Sequence, residues 1–153
     1  MLILILEDDS FKSDHLTKIV NLSVTNADIR VVSDLASAVV AISQCKFDLI
    51  LVDMALPSHP VVSGGGAPLS LLTGGLEVLF ELRSLNRSDA CIIITQYPEI
   101  EIAGRFYSVD HSAAAIREQF MCDVVGCFQY VAESTEWSEK LIQLIKRYEN
   151  TTT

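Results

Sequence analysis

The 153-residue sequence has no long hydrophobic run, and it has a single tryptophan and no segment that repeats at a fixed period. Its longest purely apolar run, Met1 to Leu6, is far shorter than the ~20 residues that a membrane-spanning helix needs. No basic segment precedes this run, and Glu7 ends it. We therefore expect neither a membrane span nor a signal peptide.

Basic residues are also scarce, since 11 Lys and Arg stand against 20 Asp and Glu, which gives a formal net charge of −9. This balance repels phosphate backbones and anionic lipids, so we expect no nucleic acid and no membrane surface as a partner. One interpretation is that the acids only keep a small protein soluble. A second rests on three consecutive acids, Glu7 to Asp9, which directly follow the apolar run.

Paired cysteine motifs are absent as well. The four cysteines are Cys45, Cys91, Cys122 and Cys127. They show no CxxC spacing and no neighbouring histidine, which excludes the common zinc sites. We expect free thiols in a reducing cytoplasm.

Hydrophobic residues make up 50% of the chain, enough for the core of one domain of ordinary size. We expect a single domain over residues 1–150. The threonines at 151–153 follow the last helical pattern and are predicted to form a disordered tail.

Short apolar runs alternate five times with segments of helical periodicity. The predicted strands are residues 2–6, 29–32, 47–52, 91–94 and 124–128. In the first predicted helix, the apolar positions are Phe11, Leu16, Ile19 and Val20. Strands that are apolar on both faces and alternate with helices are typical of a parallel sheet covered on both sides. We therefore predict an α/β fold with a five-stranded parallel sheet, with its site at the carboxyl ends of the strands.

Two connections, 58–73 and 97–111, are longer than such a fold needs. Both follow strands, so both emerge at the end of the sheet where the site is expected. The first contains the Gly64–Gly66 triplet without the Lys-Ser/Thr pair of a nucleotide-binding loop, and we predict a flexible flap. The second is a candidate β-hairpin around Ala103 and Gly104.

Acidic residues follow two strands that would be neighbours in the sheet: Glu7 and Asp8 after the first, and Asp53 after the third. Carboxylates this close repel one another unless a cation binds, and oxygen ligands suit Mg²⁺. A carboxylate beside Mg²⁺ can act as a nucleophile toward a phosphoryl group. Thr95, at the end of the fourth strand, offers a hydroxyl to a phosphoryl oxygen. The alternative is that these acids are helix caps or solvated loop residues.

In these features the sequence resembles the receiver domain of two-component response regulators. The matching segments are the first strand with its acidic pair (3–9), the phosphoacceptor segment with Pro57 four positions after Asp53 (47–57), the start of the third helix (75–83), the strand that ends in the switch hydroxyl (92–95) and the fifth strand (126–128). The resemblance covers most of the chain apart from the two long connections.

This resemblance implies a flavodoxin-like receiver fold in which Asp53 is phosphorylated. Glu7, Asp8, Asp53 and the backbone carbonyl of Ala55 would hold Mg²⁺, and Thr95 would be the switch hydroxyl. The implied partners are a histidine kinase, a phosphotransfer protein or another signalling protein, and a second copy of the chain is a further candidate. No enzymatic activity is implied beyond self-phosphorylation from a phosphodonor.

The chain departs from the family at several positions of this site. The lysine that the family has after the fifth strand falls at Tyr130, with Val131 in place of the following proline. The aromatic residue that moves with the switch hydroxyl falls at Cys127, and Gln96 stands where small residues are common. Arg105, from the second long connection, is a candidate replacement for the missing cation.

We therefore expect an atypical receiver domain that acts as a signalling module, with Mg²⁺-dependent phosphorylation of Asp53. The alternative is a pseudo-receiver, an interaction or dimerisation module without phosphotransfer, which the missing lysine and aromatic residue favour. A metal-dependent phosphatase on a similar sheet is disfavoured, because no general acid or phosphate-clamping base follows the fourth or fifth strand.

Overall fold

A five-stranded parallel sheet forms the centre of the computed structural model, which describes residues 1–60, 62–65, 70–71 and 73–152. The strands are β1 (Leu2–Leu6), β2 (Asp28–Val32), β3 (Leu49–Val52), β4 (Leu56–Pro57), β5 (Ser70–Leu71), β6 (Ala90–Thr95), β7 (Glu99–Ile102), β8 (Arg105–Ser108) and β9 (Val124–Gln129). The helices are α1 (Ser10–Ser23), α2 (Leu35–Gln44), α3 (Gly74–Ser84), α4 (Val109–Phe120) and α5 (Glu136–Thr152). The strand order is β2-β1-β3-β6-β9, and every neighbouring pair is parallel.

Helices cover both faces of the sheet, because successive side chains along a strand point to opposite faces. Ile3 and Ile5 of β1 belong to a core cluster with residues of α1 and α5. Leu4 and Leu6 belong to the opposite cluster, which contains residues of α2, α3 and α4. The predicted five-stranded α/β fold is confirmed.

The register of β1 and β3 determines where the acidic residues meet. Leu6 lies opposite Val52, and the Asp53 amide donates to the Leu6 carbonyl at 3.0 Å. Glu7 and Asp53 are therefore adjacent at the carboxyl end of the sheet, as the sequence predicts for neighbouring strands.

The first helix buries the predicted Leu16, Ile19 and Val20, but not Phe11. Its N-cap is Asp9, whose side chain accepts from the Lys12 amide at 2.9 Å. Phe11 is 69% exposed, whereas Lys12 is buried. The reason is the helical period: Lys12 lies four residues before Leu16 and shares its face, but Phe11 lies five residues before Leu16 and points away.

The second long connection contains the predicted hairpin. Strands β7 and β8 pair antiparallel, with Ile102 opposite Arg105. Ala103 and Gly104 both have positive φ, 50° and 77°, which suits the tight type I′ turn of two-residue hairpins. The buried Ile100 and Ile102 belong to the same core cluster as residues of α4, which begins directly after β8.

The structure describes residues 58–60, 62–65, 70–71 and 73 of the first long connection. Leu56 and Pro57 of β4 pair antiparallel with Leu71 and Ser70 of β5. Residues 61, 66–69 and 72 of the predicted flap lie outside the described residues.

Helix α5 runs to Thr152, so Thr151 and Thr152, expected in a disordered tail, belong to the helix. No glycine or proline follows Tyr148 to end the helix there. Thr153 lies outside the described residues. All four cysteines carry free thiols, and across the described ranges no helix combines the length and the apolar character needed to cross a membrane.

Candidate functional site

Three carboxylates converge at the carboxyl ends of β1 and β3. Glu7, Asp8 and Asp53 each offer an oxygen, and these oxygens lie within 4.8 Å of one another. Glu7 and Asp53 are buried at 3% and 6% exposure, whereas Asp8 is exposed. The structure thus brings together the three acids that the sequence predicts.

Lys12 of α1 reaches into this cluster, and the sequence analysis missed it. Its ammonium nitrogen lies 2.6 Å from Glu7 Oε2 and 2.9 Å from Asp53 Oδ1, and it donates to the Ile94 carbonyl at 3.4 Å. The residue is only 1% exposed. The spacing of Lys12, Leu16 and Val20, four residues apart on one helix face, was the signal that could have revealed it.

The pKa values of Glu7, Asp53 and Lys12 are all raised. Burial raises the pKa of Glu7 from its ordinary 4.5 to about 7, and the Asp53 charge adds to the rise while Lys12 opposes it. Burial also raises the pKa of Asp53, against the opposing charge of Lys12. Burial alone would lower the pKa of Lys12, but the neighbouring carboxylates outweigh it, so this pKa is raised. Lys12 is therefore a firmly protonated cation between two carboxylates.

A cavity of about 220 Å³ opens beside the acids. Its lining residues are Glu7, Asp8, Asp9, Asp53, Ala55, Gln96 and Tyr97. Ala55, the predicted source of a carbonyl ligand, thus borders the same space as the carboxylates. Gln96 is exposed and lines this cavity.

Thr95 is buried at the end of β6, directly before Gln96. Its hydroxyl oxygen accepts from the Tyr97 amide at 3.1 Å, which leaves the hydroxyl proton available for donation. The Thr95 carbonyl accepts from the Tyr130 amide at 2.7 Å. The predicted switch hydroxyl and Tyr130 are therefore tied together at the ends of β6 and β9.

Tyr130 occupies a buried position behind Lys12. Its ring centroid lies 5.6 Å from the Lys12 ammonium nitrogen, and its hydroxyl lies 3.3 Å from His15 Nδ1. The ring also packs at 4.9 Å, centroid to centroid, on Trp137 of α5. Tyr130 thus brings an aromatic face, and no charge, to the cluster.

The other candidate residues, Arg105 and Cys127, do not line the cavity beside the carboxylates. Arg105 is exposed directly after the hairpin turn, and the cation beside Asp53 is Lys12. Cys127 is half-buried on β9 beside a groove between α4 and α5. Burial raises the pKa of its thiol to about 12, so it is a neutral, unreactive thiol at neutral pH.

The donor set fits a hard divalent cation. All available ligands are oxygens, three carboxylates with the Ala55 backbone bordering the same cavity, and Asp8 is exposed enough to leave room for water ligands. Lys12 contacts one oxygen of Glu7 and one of Asp53, which leaves the second oxygen of Asp53 for a metal.

The sequence is similar to a curated protein over nearly its whole length. It is 37% identical over 148 residues to the Detocs response regulatory protein DtcB of Vibrio alginolyticus, covering 95% of this chain and 99% of the relative. No protein-family model matches the sequence.

Solved structures with the same fold are more distant in sequence. The receiver domain of a Francisella response regulator superposes with a TM-score of 0.60 at 17% identity, covering 99% of this chain and 98% of the other. A response regulator from Colwellia psychrerythraea gives a TM-score of 0.62 at 18% identity, covering 98% and 97%. At these identities the likeness shows the fold.

Proposed function

Because this chain belongs to the response regulator family, we propose that it is a receiver domain that accepts a phosphoryl group on Asp53. One observation carries the proposal. Asp53 lies at the end of β3 beside two further carboxylates, with an ammonium group 2.9 Å from one of its oxygens. This combination of a nucleophile, metal-type ligands and a cation suits phosphoryl transfer.

In the proposed reaction, a carboxylate oxygen of Asp53 forms a bond to the phosphorus atom of the donor. The bond between phosphorus and the donor's leaving group breaks, and the leaving group keeps the electron pair. The product is an acyl phosphate, and attack of water on its phosphorus would return free phosphate and the Asp53 carboxylate. The raised pKa of Asp53 strengthens the carboxylate as a nucleophile.

Glu7, Asp8, Asp53 and the Ala55 carbonyl would hold Mg²⁺, which supplies positive charge against the incoming phosphoryl group. Glu7 is fixed for this role, because its second oxygen accepts from the Asp9 amide at 3.0 Å. Thr95 would donate its hydroxyl to a phosphoryl oxygen. Tyr130, at the position of the family's lysine, makes this an atypical receiver.

Response regulator domains interact with kinases and other signalling proteins, and we propose a histidine kinase or a phosphotransfer protein as the phosphodonor here. The role would be that of a signalling module, in a system of the Detocs kind for which the Vibrio relative is named. Phosphorylation would change the surface that a signalling partner recognises.

Incubation with acetyl phosphate and Mg²⁺, followed by intact-mass spectrometry, tests the proposal. We expect one phosphoryl adduct on the wild type and none on Asp53→Asn. The matched control is Asp28→Asn, which removes the same charge at the exposed start of β2, at the opposite end of the sheet, and should leave the adduct unchanged.

The second candidate function is a pseudo-receiver that binds partners without phosphotransfer. It is favoured by the ion pairs of Lys12, which compensate Glu7 and Asp53 without a metal. A wild type that forms no adduct with any acyl-phosphate donor, together with a thermal stability that Mg²⁺ leaves unchanged, would decide for this second function.

A further inference from the structure

We propose that Lys12 is the cation that binds and stabilises the phosphoryl group on Asp53. This inference rests on the proposed function of Asp53 as phosphoacceptor. The sequence led us to look for this cation after β9, at Tyr130, or in the β7–β8 hairpin, at Arg105. The proposal places it on α1 instead.

The position of the Lys12 ammonium group supports this role. It already contacts Asp53 Oδ1 at 2.9 Å, so a phosphoryl group bonded to Asp53 would bring its oxygens into the space around Lys12. The ammonium group forms ion pairs with the Glu7 and Asp53 carboxylates and donates a hydrogen bond to the Ile94 carbonyl. A phosphoryl oxygen can replace one of these acceptors while the side chain stays in place.

Lys12 is also poorly placed for the stability of α1. It is the third residue after the N-cap Asp9, in the first turn of α1. There its charge is opposed by the positive end of the helix macrodipole, and its side chain is almost fully buried. The ion pairs with Glu7 and Asp53 offset these costs. The positive end of the helix and the charge of Lys12 together favour the binding of an anion beside the start of α1.

Tyr130, which directly follows β9, packs beside Lys12. The ring lies 5.6 Å from the ammonium nitrogen, and its backbone is tied to Thr95. A cation held over an aromatic face within this distance is stabilised by the ring and shielded from water. Tyr130 and Lys12 thus form a pair in which the ring positions a charge that comes from α1.

The test compares the rate of adduct formation from acetyl phosphate with Mg²⁺ in wild type, Lys12→Met and Lys18→Met. Methionine is similar to lysine in length and lacks the charge. Because a charge-assisted contact in the transition state is lost, we expect Lys12→Met to form the adduct about tenfold more slowly or worse. Lys18→Met, which removes an exposed charge from the same helix, should react at the wild-type rate.

A double variant separates charge from packing. Tyr130→Lys in the Lys12→Met background places an ammonium group beside the same carboxylates and should restore most of the lost rate. If Lys12→Met does not fold by circular dichroism, Lys12→Gln replaces it, alone and with Tyr130→Lys, with the same expected results.

The inference is overturned if the wild type forms the adduct and Lys12→Met forms it equally fast. It is also overturned if the double variant stays as slow as Lys12→Met, because the lost rate then came from packing. A wild type that forms no adduct contradicts the proposed function itself, and the role of Lys12 with it, so the two failures are distinguishable.

Discussion

At the scale of single residues, burial determines the electrostatics of the site. Glu7 and Asp53 are both buried beside the cavity and share one ammonium group. Removing one partner of a buried ion pair leaves an uncompensated charge, which typically costs about 3–5 kcal/mol. The cluster is therefore sensitive to every change of charge, including protonation and metal binding.

The raised pKa of Glu7 predicts how stability depends on pH without metal. Between its ordinary 4.5 and the folded value of about 7, the folded state binds more protons at Glu7 than the unfolded state. The free energy of unfolding should therefore fall as the pH rises through this range. Urea unfolding in EDTA at pH 5, 6, 7 and 8 measures this slope.

Glu7→Gln should flatten this pH dependence, because glutamine does not titrate. Glu133→Gln, which neutralises an exposed loop residue, should keep the wild-type slope. Equal slopes in the wild type and Glu7→Gln would show that Glu7 is not responsible.

The sequence predicted the acids of the site better than its cation. Glu7, Asp8 and Asp53 follow strands, and parallel neighbours bring such residues together whatever the surrounding loops do. Lys12 was not predictable in the same way, because lysine on a helix is usually solvated and the apolar pattern of α1 points to Phe11 as a core residue. Tertiary packing of α1 selected the other position, and burial of a lysine depends on partners that are distant in sequence.

At the scale of elements, the start of α3 lies close to the segment that contains Asp53 and Met54. A Cβ atom on Gly75 would lie 2.7 Å from the Asp53 carbonyl oxygen and 3.0 Å from the Met54 sulfur. The Gly75 amide also donates to the Met54 carbonyl at 3.1 Å. The absence of a side chain at Gly75 therefore permits the packing that holds Asp53 in place.

Gly75→Ala should destabilise the protein by about 1–3 kcal/mol, because the added methyl group overpacks this contact. The sign of this change in stability is informative, because a Gly→Ala substitution within a helix ordinarily stabilises a protein by up to about 1 kcal/mol. Denaturant unfolding gives the change, and a more stable variant would show that the segment around Asp53 moves aside freely.

The β7–β8 hairpin offers a second prediction at this scale. Ala103 adopts φ of 50°, a left-handed conformation that costs an alanine about 1 kcal/mol and that asparagine tolerates better. Ala103→Asn should therefore raise the melting temperature, and the β-branched Ala103→Val should lower it. Calorimetry measures both, and a loss of stability in Ala103→Asn would contradict the turn geometry.

The sequence predicted this hairpin from its alternating pattern and turn glycine. Residues 99–102 alternate between exposed glutamates and buried isoleucines, which is the signature of a half-buried strand. The start of α4 was harder to predict. The helix begins at Val109, directly after β8, because its N-cap position belongs to the last hairpin residue, Ser108.

At the scale of the whole molecule, part of the net charge of −9 is concentrated in one pocket. The five βα units were predictable, because continuous apolar runs and helical periods are strong signals over most of the chain. The end of α5 was not predictable, because no glycine or proline follows Tyr148 to mark the end of the helix. Local patterns thus predicted the elements, and long-range packing determined the details of the site.

Mg²⁺ should stabilise the folded protein, because the carboxylate cluster exists only when β1 and β3 are paired. At ten times its dissociation constant, a ligand specific to the folded state adds about 1.4 kcal/mol. Thermal unfolding with and without Mg²⁺ should show this gain in the wild type and a smaller one in Asp8→Asn, which removes the exposed ligand. The same gain in both proteins would place the metal elsewhere.

Mapping the phosphoryl group to a residue tests the central claim most directly. After reaction with acetyl phosphate and Mg²⁺, hydroxylamine converts the acyl phosphate to a hydroxamate with release of phosphate, and peptide mass spectrometry locates the hydroxamate. We predict modification of Asp53 alone, and none when EDTA replaces Mg²⁺. A hydroxamate on another carboxylate, or none in the presence of Mg²⁺, would contradict the assignment of Asp53 as the phosphoacceptor.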